Sequence, residues 1–251
     1  MRLSLLYSAL AFFTLAAGPA FAALTPFSED FEALDPMNPT ALGDTGWLVG
    51  ANVYEADGTT FIYNYFAFPA PNGGPAFSGI ATGESGAAQG VNVLNTYNDY
   101  NNTDHAMNPD RRIEANIFRD IGIIAADDVG KTYDFSFDVK QGNIGGTTTA
   151  TAFVKVLDQP SFALEGIDFV DTTATGTNWA TDTASITIDA AWVGSLVQIG
   201  FTNTANGFGD AGVFYDNISF AESAVAIPEP GSLTALALGS VAVITRRRRR
   251  R

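Results

Sequence analysis

Between its two ends the chain alternates. Over 132–140, Tyr133, Phe135, Phe137 and Val139 fall on one side of an extended backbone, and Asp134, Ser136, Asp138 and Lys140 on the other. A period of two places one side of a strand on a core and the other toward solvent. Segments of the same kind occur at 61–68, 91–97, 113–118, 149–157, 185–189, 196–202 and 212–220. Gly- and Pro-rich stretches separate them, such as 69–79 and 142–146. The pattern predicts one helical turn around 121–129 and no long helix. Eight or more short strands with Gly-rich connections predict an all-β domain, a β-sandwich of the jelly-roll kind. No internal repeat is present.

The ends depart from this pattern. Arg2 precedes an apolar stretch over 3–17, Gly18 and Pro19 break it, and Ala20-Phe21-Ala22 forms a small-x-small cleavage site. These three parts predict a signal peptide at 1–22 and a mature chain beginning near Ala23. At the other end, Ile227-Pro228-Glu229-Pro230-Gly231-Ser232 is a stiff link, because each proline fixes φ and removes a donor. An apolar or small stretch over 233–245 follows, and then arginine from 246 to 251. A spanning helix needs about 20 residues, and counting back to Ile227 gives 19. Snorkelling arginines make a transient span feasible, and they fix its direction with the tail in the cytoplasm.

Pro-Glu-Pro, a short apolar helix and a terminal arginine cluster resemble the PEP-CTERM sorting signal, with Pro228, Glu229 and Pro230 as its tripeptide. The resemblance implies an exosortase as partner and a transient inner-membrane intermediate. It further implies removal of the tail, and delivery to the cell surface or extracellular matrix of a Gram-negative, biofilm-forming bacterium. The reading left open beside it is a permanent tail anchor. The chain thus divides into a signal peptide (1–22), a folded domain (23–226) and a sorting tail (227–251).

Setting the ends aside changes the charge. The whole chain carries 13 Lys and Arg against 27 Asp and Glu, a formal net charge of −14. The domain keeps 6 basic and 26 acidic residues, so it stands near −20. Such a surface excludes nucleic acid as a partner and suits cations. No cysteine is present, so neither disulfides nor a thiol nucleophile are available. His105 is the sole histidine, which removes most nucleophile–base pairs and histidine-cluster metal sites. With so many acids, no single carboxylate pair marks a glycosidase.

In the closing segment, Phe214, Asp216, Ile218 and Phe220 share a face by simple alternation, which sets Asp216 among apolar neighbours. That is costly without compensation. The alternative is an aspartate hydrogen-bonded at a strand bulge. Three segments, Phe27-Ser28-Glu29-Asp30-Phe31-Glu32, 130–140 and Tyr215-Asp216-Asn217-Ile218-Ser219-Phe220, resemble in their order the galactose-binding-like jelly roll of many carbohydrate-binding modules. The resemblance implies that the opening and closing strands lie side by side and share a structural calcium. Carried onto this sequence, its ligands are Glu32 and Asp216, with Asp30 or Glu29 beside them.

Over 92–104, Asn and Asp interleave with Tyr97 and Tyr100, the composition of a sugar-binding loop and equally of polar turns. Trp179, flanked by polar residues, is a candidate stacking platform, while a tryptophan in a sandwich is more often core. Taken together, the sequence predicts an exported, non-enzymatic protein that binds carbohydrate, such as exopolysaccharide, and holds calcium. The alternatives are a structural matrix component without a ligand and a polysaccharide hydrolase or lyase.

Overall fold

The computed structural model describes residues 22–66, 78–98, 110–207 and 209–224. The alternating segments pair into two antiparallel sheets. The first contains β1 (Phe27–Glu29), β4 (Ser78–Thr82), β5 (Asn92–Thr96), β7 (Thr132–Ile144), β10 (Ala180–Thr187) and β12 (Ala211–Glu222). Its order is β10-β7-β12-β5-β4, with β1 also against β12. The second contains β2 (Leu48–Tyr54), β3 (Phe61–Phe66), β6 (Arg112–Ile123), β8 (Thr149–Leu157), β9 (Leu164–Asp171) and β11 (Leu196–Asn206). Its order is β3-β2-β6-β11-β8-β9. The two sheets form the expected β-sandwich. A four-residue helix, α1 (Ala41–Asp44), joins β1 to β2.

Alternation on β7 sorts as predicted. Tyr133, Phe135, Phe137 and Val139 are buried, and the residues between them face outward. From the second sheet Phe201 enters the same layer and stacks on Tyr215, with ring centroids 3.8 Å apart. Phe135, Phe137 and Trp47 pack around Phe201 at 5.6, 5.6 and 6.4 Å. The Tyr215 hydroxyl, fully buried, is 2.6 Å from Thr172 Oγ1, so its polar tip has a partner inside the core. The described core side chains and all the strands lie between Leu24 and Glu222.

Four strands were not visible as alternation. β2 has glycine and alanine among its apolar positions. β4 is short, β9 is an edge strand whose inner side is only half-buried and holds Gly166 and Asp168 beside Val170, and β1 has only three residues. The turn expected at 121–129 shrinks to a 3₁₀ turn at Ala126–Asp128, because Ile121 to Ile123 continue β6 against β11. Beside that turn Asp128 is buried and accepts from Ala125 N at 2.8 Å, Tyr133 OH at 2.6 Å and Leu24 N at 3.2 Å. The carboxylate thereby fixes the entry of the chain into the fold. Among the described residues no helix is long and apolar enough to cross a membrane. The signal peptide before Ala22, the sorting tail with Pro228, Glu229 and Pro230, and Tyr100 lie outside the described residues.

Candidate functional site

β12 carries an irregularity that positions the first site. Its register against β7 shifts between Asp216 and Ser219, and Asn217 sits at φ 46°. One extra residue in the left-handed region is a bulge, and a bulge exchanges the faces of the residues after it. The expected common face of Phe214, Asp216, Ile218 and Phe220 is therefore corrected. Ile218 and Phe220 point inward with Val213 and Tyr215, whereas Phe214 and Asp216 lie on the outward side. The opening strand does lie beside the closing one, with Phe27 opposite Phe220 and Glu29 opposite Ile218. β5 pairs with 213–215 of β12, so the bulge falls in the space between β1 and β5.

That space gathers acids from distant parts of the chain. Asp216 stands directly opposite Asp138, a like-charge cross-strand pair that destabilises unless compensated. Asp216 is buried; its Oδ1 accepts from Asn217 N at 2.7 Å, and its Oδ2 has no hydrogen-bond partner. Burial pushes its pKa up to about 7, and the nearby charges of Glu32, Asp138 and Asp30 add to the rise. Burial also acts against ionised Asp138. Hydrogen bonds from Thr181 Oγ1 (2.6 Å), Asn217 Nδ2 (2.8 Å) and Gln89 Nε2 (2.7 Å) outweigh it and hold Asp138 below the ordinary carboxylate range.

Glu32 Oε1 accepts from Val91 N (2.8 Å) and Asn92 N (2.7 Å), which lowers its pKa. Gly90 is required beside it: its φ is +60°, and a Cβ there would lie 2.5 Å from the Glu32 carboxyl carbon. One buried, unpartnered carboxylate oxygen among further oxygen donors fits a hard cation. Among the described residues no three His, Cys, Asp or Glu side chains form a metal cluster by themselves, so backbone carbonyls would have to complete a shell. Sequence reasoning selected Glu32, Asp30 and Asp216 but missed Asp138, whose pairing with Asp216 depends on strand register.

The outward face of the second sheet holds the other site. Registers across the sheet align Leu48, Phe118, Gly200, Phe153 and Phe169 in one row. The adjacent row is Phe66, Gly50, Asn116, Thr202 and Thr151. Gly200 makes the notch between Phe118 and Phe153, where a Cβ would meet Ile117 O at 2.4 Å. Phe66 and Phe169 are 71% and 58% exposed, an unusual amount of aromatic surface for one sheet face. Between the rings runs a polar ladder. Asn52 Nδ2 and Asn116 Nδ2 donate to Glu114 Oε1 at 3.0 and 3.2 Å, and Thr202 Oγ1 donates to Asn116 Oδ1 at 2.5 Å. Lys155 Nζ lies 3.8 Å from the centre of the Phe153 ring. The result is a cleft with aromatic flanks and amide, hydroxyl and charged groups along its floor. The residues lining it come from five strands, β2, β3, β6, β8 and β11, and no local motif in the sequence joins them.

Tyr97 and Trp179 lie on the outward side of the first sheet instead. Tyr97 lines a hollow with Asn95, Asn143, Gly212 and Phe214, and Asn95 Oδ1 there is buried without a hydrogen-bond partner. Trp179 Nε1 donates to Glu84 O at 3.2 Å, and Lys140 Nζ sits 5.4 Å from its ring centre. Lys140 is also 5.1 Å from the Phe214 ring and therefore stands between the two aromatics Trp179 and Phe214. Of the other tryptophans, Trp47 is core and Trp192 is partly buried against it.

No curated protein matches the chain. Among solved structures, a cyclase from Fischerella sp. TAU in complex with 4-(1H-indol-3-yl)butan-2-one is similar over 79% of this chain and 95% of its own, at 14% identity and a TM-score of 0.44. The CBM4 carbohydrate-binding module is similar over 79% of this chain and 95% of its own, at 17% identity and a TM-score of 0.36. A family 16 carbohydrate-binding module covers 61% of this chain and 89% of its own, at 14% identity and a TM-score of 0.38. At such identities and scores, the ligands and activities of those proteins have no bearing on this one. Residues 226–250, by contrast, match the PEP-CTERM protein-sorting motif, so the chain carries the sorting signal of an exported protein processed at the membrane.

Proposed function

We propose that an exosortase delivers this protein to the cell surface or extracellular matrix of a Gram-negative bacterium, where its sandwich binds polysaccharide without cleaving it. The observation that carries the binding reading is the outward face of the second sheet. Sugar rings present apolar C–H faces and hydroxyl edges, and in the two rows Phe66, Phe118 and Phe169 offer rings beside Asn116, Thr202 and Thr151, while Phe153 is buried beneath Lys155. Glu114 is the one carboxylate lining the cleft among the described residues, whereas glycoside hydrolysis ordinarily uses two. That favours binding over catalysis.

A structural calcium belongs to the same proposal. Asp216 and Glu32 would hold it, with Asp30 and Asp138 supplying further negative charge, and the ion would neutralise a buried carboxylate between the first and last strands. The hollow at Asn95, Tyr97 and Phe214 is a secondary contact for sugar, favoured by the unsatisfied Asn95 Oδ1, with Trp179 farther along the same face.

Titration calorimetry of residues 23–226 against a panel of soluble glycans tests the binding reading. At least one glycan binds, and Phe118→Ala with Phe169→Ala each weaken it about tenfold, since a buried aromatic face is worth roughly 1.5 kcal/mol or more. Indifference to the whole panel would leave the passive matrix component as the better account.

A further inference from the structure

The domain has three lysines, and two of them stand in ion pairs, Lys131 with Glu222 at 3.4 Å and Lys140 with Glu84 at 2.9 Å. Lys155 has none among the described residues. In a domain with 26 acidic side chains that is a notable omission. An ammonium taken from water without a counter-ion is unfavourable. Burial does hold the Lys155 pKa below the ordinary lysine value, against the attraction of Glu114. Glu114 Oε1 is itself occupied by the amides of Asn52 and Asn116. The Lys155 ammonium rests over the Phe153 ring, inside the cleft and beside the rows that the proposed sugar chain would cover.

A second cation lines the adjoining hollow. Arg112 donates to Thr204 Oγ1 at 3.4 Å, and with Lys155 and Glu114 it makes that lining net positive by one. The surface around it belongs to a domain near −20. The cleft itself is neutral, with Lys155 against Glu114, and with Arg112 of the hollow the combined lining stands net positive by one inside an acidic domain; such a spot favours negative charge in its ligand.

We propose that the ligand of the second-sheet cleft is an anionic polysaccharide, whose carboxylate or sulfate group meets the ammonium of Lys155 while its rings stack on the aromatic row. This rests on the reading of the cleft as a glycan site and adds the chemical class. The missing counter-ion of Lys155 is then supplied by the ligand. The distant acids of the domain oppose the approach of a polyanion, but at 0.15 M salt their reach is about 8 Å. Lys155 is itself partly buried over the Phe153 ring, where screening by salt is weaker than at the open surface.

The test measures affinity in 0.15 M salt for polygalacturonate, alginate and dextran sulfate, with methyl-esterified polygalacturonate and dextran as neutral counterparts. The protein spans residues 23–226, which contain the whole sandwich and omit the terminal arginines. The expected result is at least tenfold preference for one anionic polymer over its neutral counterpart. Lys155→Met, which keeps the apolar stem over Phe153, abolishes the preference. Phe118→Ala weakens the anionic and neutral polymers alike. The anionic polymer preferred, uronate or sulfate, names the group. Equal binding of charged and neutral polymers, or a preference unchanged in Lys155→Met, overturns the inference while leaving a glycan cleft in place. Failure to bind any of the five overturns both.

Discussion

Replacing Asp216 by asparagine separates the cost of its charge from every other feature of the sandwich. The folded protein raises the Asp216 pKa from 3.8 to about 7, through burial first and through Glu32, Asp138 and Asp30 second. A carboxyl whose folded pKa lies above its unfolded value binds its proton more tightly when folded. Its contribution is fully present below the unfolded pKa and is lost as pH rises through the folded one. About three units at 1.36 kcal/mol each give an upper figure of ~4 kcal/mol, lost between pH ~4 and pH ~7. Asp138 and Glu32 shift the other way. Their contributions are present above their unfolded values and are lost only as pH falls below that window.

Asparagine keeps the acceptor for Asn217 N–H and puts an amide donor where Oδ2 faced the other acids. Melting curves of residues 23–226 in EDTA at pH 5, 6, 7 and 8 read the difference. The wild-type midpoint falls across this range relative to that of Asp216→Asn. At pH 8 the variant is the more stable by up to roughly 8–16 °C, given about 2–4 °C per kcal/mol for a domain of this size. Calcium in place of EDTA raises the wild-type midpoint at pH 8 and leaves the variant unmoved. A wild-type curve parallel to the variant at all four pH values would refute the buried-charge reasoning. A wild type indifferent to calcium would remove the metal and leave a bulge aspartate held by hydrogen bonds.

Phe201→Ala opens a cavity where rings of both sheets meet and costs about 3–5 kcal/mol in urea denaturation. Asp128→Ala strands the buried donors of Leu24, Ala125 and Tyr133 and costs about 3 kcal/mol by the same measurement, with faster hydrogen exchange at 24–29. Replacing Pro228 to Pro230 by alanine leaves unprocessed protein at the inner membrane in cell fractionation; normal processing of that variant would detach the sorting motif from its expected role.

The strand pattern was legible because it is local: on an extended backbone the side chain's face is set by parity alone, so the faces of β7 and the boundaries of 149–157 could be read from their own residues. The sorting tail was legible for the same reason, its three unlike parts being contiguous. Parity failed at Asn217, where one residue in the left-handed region exchanges the faces of β12; asparagine tolerates that conformation but does not require it. Beyond a single strand, register decides. Asp216 meets Asp138 across 78 positions of sequence, and Phe118 and Phe153 share a row only because both stand opposite Gly200. The amino-acid order thus determined the address and the layers of this protein. Only the pairing of its strands placed one buried carboxylate oxygen without a hydrogen-bond partner on one face and one lysine outside any ion pair among the described residues on the other, because both depend on what other strands bring opposite them.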